Sequence, residues 1–180
     1  MHRLIVPLAL VALCLGPAGA ARAEFAGRFS VGQVSIPDLS EPDWVRREGE
    51  TGVTYLCVNH GRCTLPTAVE IKGVRRTEAL PDAFRGGALS PERLMAQGRA
   101  NAAARGGQFR VAEPYRIGAL EGVHMEAEVN LGATAHVVTR WVGVGDRLLD
   151  VKATAGDLAT ARRLSDQAMR SVVPQVFPGR

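Results

Sequence analysis

The sequence predicts an α+β domain in which an antiparallel sheet of about five to six strands is covered by two helices, forming a sandwich. Residues 123–130 alternate strictly between apolar and polar side chains, which is the period of a strand with two unlike faces. The Val- and Thr-rich segments 135–143 and 147–154 follow, each after a glycine-containing turn. These three segments therefore predict an antiparallel meander. Helix start signals occur at Ser90 and at Asp157.

Both helices are predicted from their termini and their periodicity. Ser90-Pro91-Glu92 combines an N-cap residue, a proline at the first helical position and an acid beside the helix dipole. Gly106-Gly107 ends this helix in the usual C-terminal manner. The second helix is capped by Asp157 and is expected to stop at Pro174. Its apolar stripe, at three- and four-residue steps, consists of Leu158, Ala161, Leu164, Ala168 and Val172.

The rest of the chain predicts short strands and one loop. The further strands are expected at residues 29–31, 34–36, 53–58, 64–72 and 108–112. Pro114 is expected to interrupt the last of these, and Trp44 is expected to pack onto the core. Residues 77–90, which are punctuated by proline and glycine, are expected to form a loop.

The N-terminus predicts a secretory signal peptide over residues 1–23. It begins with the basic Met1-His2-Arg3 and continues with an almost unbroken apolar run over residues 4–15. Ala21-Arg22-Ala23 then fits the small-x-small cleavage pattern. The chain is therefore expected to be periplasmic or secreted, as a single exported α+β domain over residues 24–180.

The alternatives at the N-terminus are a cut after Ala20, a retained membrane anchor and a lipoprotein lipidated at Cys14. The apolar run is shorter than the roughly 20 residues that span a bilayer, and Leu13 is bulky where lipoprotein signals carry a small residue. No later stretch predicts a transmembrane helix. Cleavage removes Arg3 and Arg22 but no acid, so the net charge falls from +4 to +2. This weak charge predicts no nucleic-acid partner.

Cys57 and Cys63 predict a structural disulfide that closes a hairpin or tight loop. With Cys14 lost, an even number of cysteines in an exported chain indicates pairing. The first alternative is a redox-active pair, but such pairs usually have two intervening residues at a helix start, whereas five intervene here. The second alternative is a metal site that includes His60, but three ligands are too few for structural zinc.

The central segment, residues 72–116, carries nine basic and four acidic side chains. The candidate anion- or partner-binding residues in it are Arg75, Arg76, Arg85 and Arg93. Guanidinium groups beside a glycine-rich loop are suited to an anionic ligand, protein partner or membrane surface. The alternative, which the sequence favours, is a solvated surface with scattered arginines.

The polar positions of the meander form a second candidate site. The polar residues on one face of its first two strands are His124, Glu126, Glu128, His136 and Arg140. With the turn centred on Gly132, Glu128 faces His136 and His124 faces Arg140. Two imidazoles and two carboxylates can bind a divalent metal or act as an acid–base pair. The favoured alternative is the solvent-facing side of a sheet, and no metal is predicted.

The order of elements over residues 53–173 resembles that of the PsbP/Mog1-like group of small exported α+β proteins. The resemblance includes Ser90-Pro91-Glu92 at the start of the central helix, the hairpin over residues 142–149, and Ala161-Arg162-Arg163-Leu164 in the last helix. Members of that group are mostly non-enzymatic accessory or binding proteins, so the resemblance implies a partner-binding role. It transfers no functional residue, and the disulfide loop departs from it.

The motifs of the common enzyme classes do not occur in the sequence: no Gly-x-Ser-x-Gly elbow, His-Glu-x-x-His helix, Walker loop or EF-hand loop. The predicted function is therefore a non-enzymatic periplasmic accessory or binding protein with one structural disulfide and no cofactor. Its expected partner is a protein or a small ligand in the periplasm. The alternative is a small metal-binding protein or hydrolase that uses the His124/Glu126/Glu128/His136 face.

Overall fold

The computed structural model describes residues 25–39, 42–50, 52–59, 61, 63, 66–104 and 106–180. The predicted signal peptide and His60 lie outside the described residues. The strands are β1 Phe25–Arg28, β2 Trp44–Gly49, β3 Gly52–Cys57, β4 Ala68–Arg76, β5 Gln108–Ile117, β6 Leu120–Asn130, β7 Thr134–Val144 and β8 Arg147–Ala155. The helices are α1 Leu80–Arg85, α2 Pro91–Ala103 and α3 Leu158–Val176.

The strands form one antiparallel sheet in the order β2-β3-β4-β8-β7-β6-β5, and the short β1 pairs with the end of β4. The α+β class and the three-strand meander, β6 to β8, are confirmed. The predicted number of five to six strands is wrong, because seven strands lie along this order, and the described residues contain three helices rather than two. β2 was missed because its sequence, WVRREG, carries four mostly exposed residues and no alternation.

Proline positions account for two further corrections. β5 continues through Pro114, where a break was predicted. Among the described residues β5 is an edge strand, paired with β6, and an edge strand tolerates a residue without N–H. α3 continues through Pro174 to Val176, since a proline in the last turn removes only one of the final hydrogen bonds.

The segments predicted to be one loop and two short strands also have a different structure from the one predicted. The 77–90 loop contains α1, a six-residue helix that buries Leu80 and Phe84. Residues 29–31 and 34–36 are not strands, yet Val31, Val34 and Ile36 are buried in the main core. The apolar pattern there therefore reflects burial and not strand pairing. Trp44 packs against the same core, as predicted.

The sheet is covered on both faces, in three layers. α3 packs on one face over β7, β8 and β4, where Ile71 and Val151 lie in the same buried core as Val53 of β3. α1 and α2 pack on the other face over β5, β6 and β7, where Trp141 is buried. α2 approaches β5 closely at Gly98, where a Cβ atom would lie 2.5 Å from the Phe109 ring. No helix among the described residues is long and apolar enough to span a membrane.

The Cys57–Cys63 disulfide is present, with 6.3 Å between the two Cα atoms, so the predicted pairing is confirmed. The loop that it closes is held by backbone and side-chain bonds of Asn59: the Cys63 N–H donates to its carbonyl at 2.9 Å and its side-chain amide donates to Asp43 at 2.6 Å.

Reduction of this disulfide is expected to lower the free energy of unfolding by about 2–3 kcal/mol, the low end for a disulfide, because the loop is short. The check is urea denaturation of the oxidised protein and of the Cys57→Ser/Cys63→Ser variant. Alkylation without reductant should label neither cysteine of the native protein. Free thiols, or equal stability of the two proteins, would contradict the structural role.

Candidate functional site

An ionic chain of five residues joins the polar face of the meander to α3. Arg162 donates to both carboxylate oxygens of Glu126, at 2.6 and 2.8 Å. His124 Nε2 lies 2.8 Å from Glu126 Oε1, and Arg140 Nε donates to His124 Nδ1 at 3.2 Å. Arg140 also donates to Asp166 of α3 at 2.6 Å. The face predicted to be exposed to solvent is thus buried, with His124 7% and Glu126 3% exposed.

Both ring nitrogens of His124 are engaged in this chain. Because Arg140 Nε is a donor, His124 Nδ1 accepts, and the proton is assigned to Nε2, which donates to Glu126. This neutral tautomer leaves no nitrogen lone pair for a metal. The hydrogen bond from Arg162 is the main cause that lowers the pKa of Glu126 and keeps it ionised. The ionic chain of five residues therefore fastens α3 to the sheet.

The other predicted members of this face are separated from it. The register pairs Glu128 with His136 and His124 with Arg140, as predicted. However, Glu128 accepts a hydrogen bond from Arg110 at 2.6 Å. His136 Nδ1 is buried and has no hydrogen-bond partner in the part of the chain that the structure describes. Within the described ranges, no group of three or more His, Cys, Asp or Glu side chains is placed to hold a metal ion.

The four candidate arginines lie in different surroundings. Arg75 pairs with Asp146 at 2.7 Å, and the buried Arg76 pairs with Glu78. Arg93 is exposed on α2, and Arg85 pairs with Glu121. Of the four, Arg85 alone lines either of the two cavities described below.

Two adjoining cavities lie between α1 and the β5–β6 hairpin, and the first of them also reaches the start of α2. The first, here called the Tyr115 cavity, has a volume of about 430 Å³ and is lined by Phe84, Arg85, Pro91, Glu92, Pro114, Tyr115, Arg116, Glu121 and Gly122. The second, the Arg180 cavity, has a volume of about 370 Å³ and lies beside Arg180. The residues shared by both are Phe84, Arg85, Arg116 and Glu121.

The wall that the two cavities share carries two guanidinium groups, and both bind the carboxylate of Glu121. Arg85 donates to Glu121 at 3.4 Å and Arg116 donates to its other oxygen at 3.1 Å. Both guanidinium side chains are largely exposed, at 68% and 71%. Phe84, which lines both cavities, is buried. The half-buried Tyr115 ring instead packs toward α3 on the opposite face of the sheet, where desolvation raises the pKa of its hydroxyl. The Tyr115 cavity thus combines the apolar Phe84, Pro91 and Pro114 with a charged rim.

No family model and no curated protein matches the chain. A crystal structure from Bacteroides thetaiotaomicron VPI-5482 is similar with a TM-score of 0.39 and 13% identity; the match covers 67% of this chain and 38% of the other. LpqN, described as involved in cell envelope biogenesis of Mycobacterium tuberculosis, is similar with a TM-score of 0.39 and 11% identity over 78% of each chain. Similarities this low carry no argument about fold or function, and the resemblance to the PsbP/Mog1-like group stays a prediction.

Most of the Tyr115 cavity was not predicted from the sequence. Arg116 and Glu121 are cross-strand partners in the β5–β6 hairpin, whereas the break predicted at Pro114 ends the strand before Arg116. The short spacing of a basic and an acidic residue around Gly118 was the available signal.

A separate, partly buried aspartate lies on the sheet face that carries Trp141. Asp150 is the cross-strand neighbour of Trp141 and of Lys72, and its buried Oδ1 has no hydrogen-bond partner among the described residues. Burial raises the pKa of Asp150 and outweighs Lys152 and Lys72, which act to lower it. Burial also acts to raise the pKa of Glu70, but the same two lysines outweigh it and lower that pKa.

Asp150→Asn is expected to increase stability at neutral pH and to remove part of its pH dependence. Above the ordinary Asp pKa of 3.8 the unfolded chain loses the proton while the folded chain retains it, so wild-type stability falls as pH rises toward the folded pKa. The check is urea denaturation of both proteins from pH 3 to pH 8, with the exposed Asp146→Asn as control. A stability difference that does not vary with pH would contradict the assignment.

Proposed function

We propose that this chain is a non-enzymatic binding protein that acts outside the cytoplasm, periplasmic or secreted, and that the Tyr115 cavity is its ligand site. The extracytoplasmic location is supported by the disulfide, because such bonds persist in oxidising compartments and are rare in reducing ones. The predicted signal peptide agrees with this location.

The observation that carries the proposal is the pair of exposed guanidinium groups above an apolar floor. Ligand sites are mostly apolar concave surfaces with a few polar groups that orient the ligand, and they have volumes of roughly 300–1,000 Å³. The Tyr115 cavity, at about 430 Å³, lies in this range. Arg85 and Arg116 have donors beyond those used on Glu121, since each is bound to it through one terminal nitrogen.

The alternative, a metal-binding protein or hydrolase on the His124/Glu126/Glu128/His136 face, is not favoured by the same geometry. His124 has both ring nitrogens engaged, and Glu126 is committed to Arg162. A catalytic base or metal ligand needs an accessible lone pair. We assign this face to the attachment of α3.

The test is a thermal-shift screen with a panel of small carboxylates, amines, phosphates and zwitterions that carry an apolar group. We expect at least one compound to raise the Tm of the wild type and of Arg93→Met, an exposed arginine on α2 outside the cavity, but not of Arg116→Met. Absence of any shift, or a shift that Arg116→Met retains in full, would overturn the proposal.

A further inference from the structure

We infer that the Tyr115 cavity takes a small zwitterion with an apolar body, of the class of apolar α-amino acids and their short peptides. This inference rests on the proposed function and specifies the ligand. It depends on which charged groups line the cavity, on what each already binds, and on what lies between them.

The charged groups that line the Tyr115 cavity are balanced. They are two guanidinium groups, Arg85 and Arg116, and two carboxylates, Glu92 and Glu121. A site built for a simple anion would present an excess of positive charge, because carboxylates beside the arginines repel a second anion. A balanced site instead complements a ligand that carries one charge of each sign.

The existing contacts indicate which group takes which end of the ligand. Glu121 is already shared between Arg85 and Arg116, so it is the less available carboxylate. Glu92 lies exposed in the first turn of α2, and no ion pair to it is found within the described part of the chain. We therefore assign the ligand carboxylate to the two arginines, where bidentate bonding is possible, and the ligand ammonium to Glu92.

The surface between the charged groups is apolar. Phe84, Pro91 and Pro114 line the same cavity. Tyr115 lines it as part of β5, while its ring packs on the opposite face of the sheet, with Arg140 Cζ 5.0 Å from the ring centroid. A cavity of about 430 Å³ with these walls is larger than an inorganic ion needs. The walls fit an aliphatic or aromatic side chain, whose removal from water favours binding.

The test compares ligands that differ by one charge, using the full exported domain and isothermal titration calorimetry. The probes are phenylalanine and the dipeptide leucyl-phenylalanine, each beside its N-acetyl form, which lacks the ammonium, and its carboxamide form, which lacks the carboxylate. We expect at least one of the two zwitterions to bind at least tenfold more tightly than both of its blocked forms.

Two variants assign the ends of the ligand. Glu92→Gln should abolish the preference for the free amine over the N-acetyl form, whereas Glu113→Gln, an exposed acid of β5 outside the cavity, should retain it. Arg116→Met should abolish the preference for the free acid over the carboxamide, and Arg93→Met should retain it. These four variants change exposed side chains, so folding is retained and is checked by circular dichroism.

The outcomes separate this inference from the proposed function. If an N-acetyl acid binds as tightly as its zwitterion, and Arg116→Met abolishes that binding, the site is an anion site; the inference is then wrong and the proposed function stands. If a carboxamide binds as tightly as its zwitterion, the inference is wrong in the opposite sense. If none of these probes binds, the inference is wrong, and the wider thermal-shift panel decides the proposed function.

Discussion

Replacing Arg162 with Met is expected to lower the free energy of unfolding by about 3 kcal/mol, at the low end for a broken buried ion pair. The variant leaves Glu126, which is 3% exposed, as a buried carboxylate with only the His124 N–H as partner. Replacing Glu126 with Gln should cost less, because the amide keeps the volume and Arg162, whose side chain is 53% exposed, can turn to solvent. We therefore expect the loss of stability to be larger when Arg162 is replaced than when its partner Glu126 is replaced.

The measurement is urea denaturation at pH 7 of both single variants and of the double variant, with Arg163→Met, an exposed neighbour in α3, as control. The double variant should be more stable than the sum of the single changes implies, because the orphaned carboxylate is gone. Equal losses from Arg162→Met and Arg163→Met would show that the ionic chain contributes nothing.

The acid limb of the stability curve gives a second readout of the same contact. The pKa of Glu126 is lowered in the folded chain, mainly by Arg162, so its contribution is complete above the ordinary Glu pKa of 4.5. It is lost as pH falls below 4.5 through the folded pKa. The stability difference between wild type and Glu126→Gln should accordingly shrink below pH 4.5.

The meander shows what a local pattern can and cannot determine. Alternation over residues 123–130 was sufficient to predict the strand, its two faces and its pairing with β7, because side-chain direction and register follow from a period of two. It did not determine what covers each face. Arg162 lies off the apolar stripe of α3, yet its long side chain reaches Glu126 across the layer boundary.

The candidate site was less predictable for a related reason. The Tyr115 cavity requires α1, a six-residue helix within a segment that one proline and two glycines marked as a loop. It also requires β5 to continue past Pro114 so that Arg116 meets Glu121 across the hairpin. Edge position and tertiary packing decide both features, and neither is encoded in a local window.

Replacing Gly122 with Ala is expected to lower the free energy of unfolding by about 4 kcal/mol or more, a size that point substitutions reach only through a specific defect. A Cβ atom at this position would overlap the Trp141 carbonyl oxygen and lie 2.8 Å from its carbonyl carbon. Gly122 is in β6, between β5 and β7, and pairs with Tyr115 and Val142. Relief of the overlap therefore requires breaking a ladder on one side.

The matched control is Gly49→Ala in β2, where the nearest atom to a new Cβ is a carbonyl oxygen at 3.7 Å, an ordinary contact. This variant should be as stable as the wild type or slightly more stable. Alanine reduces the conformational entropy of the unfolded chain, which raises the free energy of unfolding by about 0.4–1 kcal/mol. Urea denaturation followed by circular dichroism checks both proteins. If the free energy of unfolding of Gly122→Ala lay within about 1 kcal/mol of the wild-type value, β6 and β7 could separate at little cost, and the prediction would be wrong. Gly122 pairs with Tyr115 and also lines the Tyr115 cavity. If β6 and β7 could separate in this way, the strands that line the proposed ligand site would not be rigid.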